Sequence, residues 1–184
     1  DDWSQGIPLD YTRQLAHYWA TDYDWRRFEK KLNNWSQYVT NIEGIDIHFI
    51  HHRSPHENAL PLIISHGWPG SIVEFHNIID ALANPTAHGG VATDAFHVVA
   101  PCLPGYGFSG KPTSTGTSVE KIGRMWGQLM ERLGYSRHVA QGGDWGSMVT
   151  QSMGMTETQH CAGIHINMPI VAPDPDTMGD LSAQ

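Results

Sequence analysis

Cysteine is scarce in this chain, and so is positive charge. The only two cysteines, Cys102 and Cys161, lie far apart and have neither metal-ligand nor redox spacing. A disulfide framework is therefore not expected, which favours a reducing compartment and a cytoplasmic location. Lys and Arg number 11 against 19 Asp and Glu, the formal net charge is −8, and there is no basic run. Nucleic acid and anionic membrane surfaces are poor partners for such a chain. No apolar stretch approaches the length that spans a bilayer. There is no HExxH motif. The densest group of histidines, His48, His51 and His52 in IHFIHH, has no carboxylate placed to complete a metal site. On a strand, His48 and His52 share one face and His51 takes the other. A polar strand face is the reading, and no metal is expected.

Hydrophobic residues make up 40% of the 184 and charged residues 16%, which suits one domain with a real core and excludes disorder. The first quarter carries helical periodicity. Asp10 is a candidate cap for YTRQLAHYW, with Leu15, Tyr18 and Trp19 on one stripe, and Asp24 for WRRFEKKLNN, with Trp25, Phe28 and Leu32. Both stripes read as packing faces rather than ligand boxes. From Ser36 the period changes to that of strands. YVTNI and IDIHFIHH flank a turn at Glu43-Gly44, and LPLIIS is a short buried strand. Ser71 and Glu74 form a capping box for a helix over IVEFHNIIDAL, and Thr117 and Glu120 form another for VEKIGRMWGQLMERL, which stops at Gly134. FHVVAP, RHVAQ and CAGIHINMP are further strands, and SMVTQSMG is a buried helix. A hairpin followed by alternating strands and helices predicts an α/β fold with a mostly parallel sheet and right-handed crossovers. The tail VAPDPDTMGDLSAQ shows no core pattern.

Sites in open α/β sheets form at the carboxyl ends of strands. Three such ends are unusual here: HGWPGS (66–71), PCLPGYGFSG (101–110) and GGDWGS (142–147). GGDWGS follows a strand and opens a helix, with glycines flanking a central Asp144. That is the pattern of a nucleophile elbow with a carboxylate in place of serine. Asp144 reads either as a nucleophile, kept ionised by the helix N-terminus, or as a plain helix cap. HGWPGS favours the first reading, because its turn can aim the Trp68 N–H into the site beside the Trp145 N–H, making an oxyanion hole. His66 in that motif is read as a brace rather than a base. In PGYGFSG, Tyr106 and Phe108 either line the pocket or pack under it. The glycine spacing there, with no helix following at once, excludes a dinucleotide fingerprint. A carboxylate nucleophile suits displacement at saturated carbon, giving an ester that water then cleaves. An epoxide or a carbon–halogen bond fits that chemistry. No cofactor is implied, since side chains, backbone donors and water suffice.

On these residues the chain resembles epoxide hydrolases of the α/β-hydrolase fold, in the branch with an N-terminal helical extension, similar to microsomal and juvenile-hormone epoxide hydrolases. DYDWRRFEKKLNNWSQYVTNIEGIDIHFIHHRS looks like the extension and first strands, and HGWPGS, LPGYGFSGKP and GGDWGS look like the three site loops in order. The resemblance implies Asp144 as nucleophile and Trp68 and Trp145 as oxyanion donors. It implies residues 1–35 as a helical extension and 36–184 as the N-terminal part of the hydrolase core. The family pattern also needs two lid tyrosines, an acid and a histidine, which are not met before Gln184. His160 and His165 lie too early to serve. The expectation is therefore an N-terminal fragment with about six of the family's eight sheet strands, lacking the lid and last strands and unable to turn over by itself. Its open apolar surface calls for a second copy or the missing C-terminal portion as cover. The expected partners are a small lipophilic epoxide and water, with Trp68, Phe108 and Trp145 lining the substrate pocket. A haloalkane-dehalogenase-like hydrolase and a noncatalytic binder of hydrophobic ligands on the same fold are the alternatives.

Overall fold

The computed structural model describes residues 2–171; the tail beyond Val171 lies outside the described residues. Two compact units follow one another, residues 1–34 and 35–184.

In the first unit, a short 3-10 turn over Trp3–Gln5 is capped by Asp2, whose Oδ1 accepts the Ser4 N–H at 3.0 Å. Helix α1 spans Leu9–Thr21 and α2 spans Arg26–Leu32. The cap position of α1 belongs to Pro8, and Asp10 lies inside the first turn. This corrects the expected start, because Pro sets φ for helix entry and an acidic residue is also favoured within the first turn. Asp24 does take the Arg26 N–H at 3.0 Å, as its position before α2 suggests. Leu15, Tyr18 and Trp19 are all exposed, and Tyr18 packs edge-on against Tyr23 within the unit.

The second unit is built on one six-stranded sheet, in the order β1-β2-β4-β3-β5-β6. The strands are β1 Gln37–Ile42, β2 Ile45–His52, β3 Leu60–Ser65, β4 Phe96–Pro101, β5 His138–Gly142 and β6 Cys161–Ile166. The first two form an antiparallel hairpin through Glu43-Gly44, and β2 runs antiparallel to β4. The pairs β3/β4, β3/β5 and β5/β6 are parallel. This is the α/β-hydrolase arrangement, with antiparallel opening strands and a parallel remainder.

Helix α3 spans Ile79–Ala83, α4 spans Val119–Arg132 and α5 spans Trp145–Thr156. The single helix expected over 72–82 is instead a 3-10 turn at Ile72–Phe75 followed by α3. Apolar residues at Ile72, Phe75, Ile78 and Ile79 recur at spacings that both helix types satisfy, so the pattern leaves the choice to packing. The cap of α4 is Ser118, not Thr117: its hydroxyl accepts the Lys121 N–H at 3.3 Å. The helix still ends before Gly134 as expected, whose φ of +85° closes the C-terminal turn.

The main core lies between the sheet and the α4/α5 pair. Ile47, Phe49, Ile63, Val99 and Ala140 face Met125, Trp126, Leu129, Val149 and Met153, all buried. The indole of Trp126 donates to Ser65 Oγ at 2.9 Å, which ties α4 to the carboxyl end of β3. On the other sheet face, Leu62, Ile64, Phe75, Ile78, Val139 and Ile164 border an open apolar cavity of about 700 Å³.

Candidate active site

The sheet order puts β3 between β4 and β5, so the three unusual loops leave the carboxyl ends of adjacent parallel strands. The chain runs from β3 to β4 on one side and then crosses back to β5 on the other. That reversal opens a crevice at this edge.

The elbow after β5 holds Asp144 at φ +51° and ψ −126°, a conformation rare outside glycine. Such a turn needs its strand and helix backbones pressed together. Gly142 and Gly146 permit it: a Cβ at 142 would overlap the carbonyl of Gly146, and one at 146 would overlap the carbonyls of Ser65 and His66. Ser147 secures the bend, donating its N–H to Asp144 O at 2.9 Å and its hydroxyl to Gly142 O at 2.8 Å. The Asp144 side chain makes no capping bond to α5. Its Oδ1 instead accepts the backbone N–H of Trp68 at 2.7 Å.

The N–H groups of Trp145 and then Trp68 hold the Asp144 carboxyl below the usual carboxylate range. Asp144 is exposed and ionised at neutral pH. One oxygen, Oδ1, is engaged by the loop after β3, and the carboxylate stands at the open edge of the sheet.

The loop after β3 carries the Trp68 donor. Its approach to Asp144 requires Gly67, where a Cβ would overlap Asp144 Oδ1 and Cβ. The Trp68–Pro69 bond is cis. His66 is fully buried beneath it. The Leu103 N–H donates to His66 Nε2 at 3.1 Å, so that nitrogen is bare and the proton sits on Nδ1, 3.0 Å from Gly67 O. Burial pushes the imidazole below its ordinary pKa. His66 thus braces the loops after β3 and β4 as a neutral ring, as the motif led us to expect.

In the loop after β4, Tyr106 packs under His66 with ring centroids 5.4 Å apart. Phe108 is exposed and meets His48 edge-on. Trp68 and Trp145 are exposed as well. Trp145 borders a second apolar cavity of about 500 Å³ with Leu103, Pro104, Tyr106, Ile122 and Val149. Tyr106 thus borders this cavity, and Phe108 is exposed to solvent.

Two features escaped the sequence. His48 Nε2 donates to Gln37 Oε1 at 2.9 Å, which leaves Nδ1 to accept from the Cys102 thiol at 3.2 Å, and Cys102 also receives the N–H groups of Phe108 and Ile72. This buried chain links the loops after β3 and β4. Nothing short of the β2/β4 register would have revealed it. The second is Glu74, whose carboxylate accepts the Gly67 N–H besides that of Ser71. The capping-box spacing pointed to Ser71 but not to Gly67. Among the described residues no group of His, Cys, Asp and Glu could hold a metal ion. No helix among them is long and apolar enough to cross a membrane.

Residues 61–183 match the family model described as alpha/beta hydrolase fold, and residues 1–75 match the one described as epoxide hydrolase N terminus. A putative epoxide hydrolase of Stigmatella aurantiaca is 52% identical over 184 residues, covering 100% of this chain and 42% of the relative. Epoxide hydrolase 1 of Oryctolagus cuniculus is 38% identical over 170 residues, covering 90% of this chain and 37% of that protein. The crystal structure of juvenile hormone epoxide hydrolase from the silkworm Bombyx mori superposes with a TM-score of 0.83 at 32% identity, over 97% of this chain and 42% of that one. The Aspergillus niger epoxide hydrolase gives 0.80 at 36%, over 97% and 46%. The chain therefore spans less than half the length of the relatives it matches. It belongs to the alpha/beta hydrolase fold family and is homologous to the epoxide hydrolases, whose N-terminal module it carries.

Proposed function

We propose that the chain is the nucleophile-bearing part of an epoxide hydrolase, converting epoxides to vicinal diols through an ester on Asp144. The observation that carries this reading is the strained elbow residue whose Oδ1 already lies 2.7 Å from the Trp68 N–H. With Oδ1 so engaged, Oδ2 attacks an epoxide carbon. The ring C–O bond breaks, and the departing alkoxide takes a proton from an acid. The resemblance assigns that acid to lid tyrosines.

Water, activated by a base, next adds to the Asp144 carbonyl carbon. Charge gathers on Oδ1, where the Trp68 and Trp145 N–H groups receive it. The acyl bond to Oδ2 then breaks, releasing the diol and restoring the carboxylate. The donor pair thus serves cleavage of the ester. Removing one such donor slows acyl chemistry by about 10²–10³-fold in other hydrolases. The apolar wall formed by Leu103, Tyr106, Ile122 and Trp145 supports a lipophilic substrate. The names of the matched relatives support the same class.

A single turnover of the full-length protein in heavy-oxygen water tests the proposal. The first diol should carry an unlabelled protein oxygen, and the label should appear in Asp144. A labelled first diol overturns it. A haloalkane run in parallel distinguishes the dehalogenase reading, which requires halide release without diol formation.

A further inference from the structure

Gly67 and Trp68 point consecutive backbone N–H groups at two different carboxylates. The Trp68 N–H goes to Asp144 Oδ1, and the Gly67 N–H goes to Glu74. Glu74 sits in the 3-10 turn Ile72–Phe75, directly after the loop. The turn closes over its side chain: a Cβ added at Gly70 would coincide with Glu74 Oε1 and lie 2.6 Å from Cδ. The same carboxylate accepts the Ser71 N–H. In return, Ser71 O takes the Glu74 N–H at 3.0 Å, and Ser71 Oγ takes the Val73 N–H at 3.2 Å.

A capping box would need only the Ser71 bond. The additional bond to Gly67 brings both ends of the Trp68-Pro69-Gly70 segment onto one side chain. Glu74 keeps its carboxylate there against opposition. Burial, the larger cause, and the like charge of Asp144 both raise its pKa, although much of the residue is exposed. A group that only ended a turn would gain nothing from standing near the nucleophile's charge.

We propose that Glu74 is a positioning residue for ester hydrolysis: by holding the N–H groups of Gly67 and Ser71, it fixes the Trp68 N–H on Asp144 Oδ1. The proposal rests on the reading of Asp144 as a nucleophile. Glu74 does not touch the reacting atoms. It acts through the peptide that receives the developing charge, so it matters more for cleaving the ester than for forming it.

Rapid quenching of the full-length protein with an aryl epoxide, followed by peptide mass spectrometry, separates the two steps. In Glu74→Ala, ester hydrolysis should slow about 30- to 100-fold, toward the loss of one oxyanion donor, while ester formation changes less than about threefold. The ester then accumulates, and kcat and KM fall together. Glu74→Gln keeps one strong acceptor but loses the second, so it should restore part of the rate and lie between the other two proteins. Equal slowing of both steps, or no slowing of hydrolysis, in a variant that melts like the parent overturns the assignment. If the alanine variant does not fold, the glutamine variant decides by the same ratio. Absence of any ester on Asp144 in the parent protein sinks the nucleophile reading instead, an outcome separate from either variant result.

Discussion

Trp68 N and Asp144 Oδ1 lie 2.7 Å apart, although 76 residues separate them along the chain. The contact joins the loop after β3 to the elbow after β5 and leaves the second carboxylate oxygen outside that bond. It exists only because Gly67 has no side chain where Asp144 stands.

Gly67→Ala should therefore separate activity from stability. The new methyl group forces the loop away from Asp144 and lengthens the donor bond. Epoxide turnover by the full-length protein should fall by about 10²-fold or more, the scale of losing one oxyanion donor. The melting temperature should move by only a few degrees, about the shift that accompanies 1 kcal/mol. Steady-state kinetics and thermal melting on one preparation test both parts.

Gly146→Ala should act on folding instead. Its Cβ would press on the carbonyls of Ser65 and His66, which are backbone and cannot rotate aside. Overpacking of this kind costs about 1–3 kcal/mol, and backbone contact places the effect at the upper end. Urea unfolding should show the loss as a lowered midpoint with an unchanged slope. A midpoint equal to the parent's would contradict the elbow packing.

Acid should begin to destabilise the protein just below pH 6.5, through its buried histidines. Burial, then the charges of Arg53, His97 and His52, hold His51 at about 4, against 6.5 for an ordinary histidine. Burial also lowers His48, His66 and His138. The unfolded chain consequently binds protons first as pH falls. Stability is fully present above pH 6.5 and is lost progressively toward pH 4, at about 1.4 kcal/mol per pH unit for each additional proton bound by the unfolded state. Urea midpoints at pH 7, 5.5 and 4.5 should fall in that order, and the decline should be shallower in His51→Phe.

Both thiols should resist modification in the folded protein. Cys102 and Cys161 are free and buried, and burial raises the pKa of each. Thiolate, the reactive form, is therefore scarce as well as shielded. Chromogenic titration at pH 8 should find almost no reactive thiol in the native chain and two after denaturation. Rapid native reaction at Cys102 would mean that the link to His48 is open.

Much of the architecture was legible because short runs rich in β-branched residues and bounded by turn residues favour buried strands. LPLIIS, FHVVAP and RHVAQ were found to within a residue or two. Boundaries were less legible. Thr117 and Ser118 are both competent caps, and only the path of the chain selects Ser118. Over residues 72–82 the pattern does not choose between a 3-10 turn and an α-helix, because apolar spacings of three and four suit both. At the site, the residues of the elbow and of the turn after β3 could be named from glycine placement alone. The second bond of Glu74 and the Gln37–His48–Cys102 chain could not, since each depends on contacts that local spacing does not encode.

What the amino-acid order determines by itself is local: strand and helix alternation, the glycines that allow a sharp elbow, and a carboxylate where serine is usual. The tertiary structure decides which strands are neighbours, and thereby brings three separate loops to one edge. It also decides the charge state of His66, which burial and the Leu103 N–H hold neutral. The physical reason is range. Backbone preference and periodicity act over a few residues, whereas hydrogen bonds across the sheet edge depend on strand order and register, which are set only when the whole core closes.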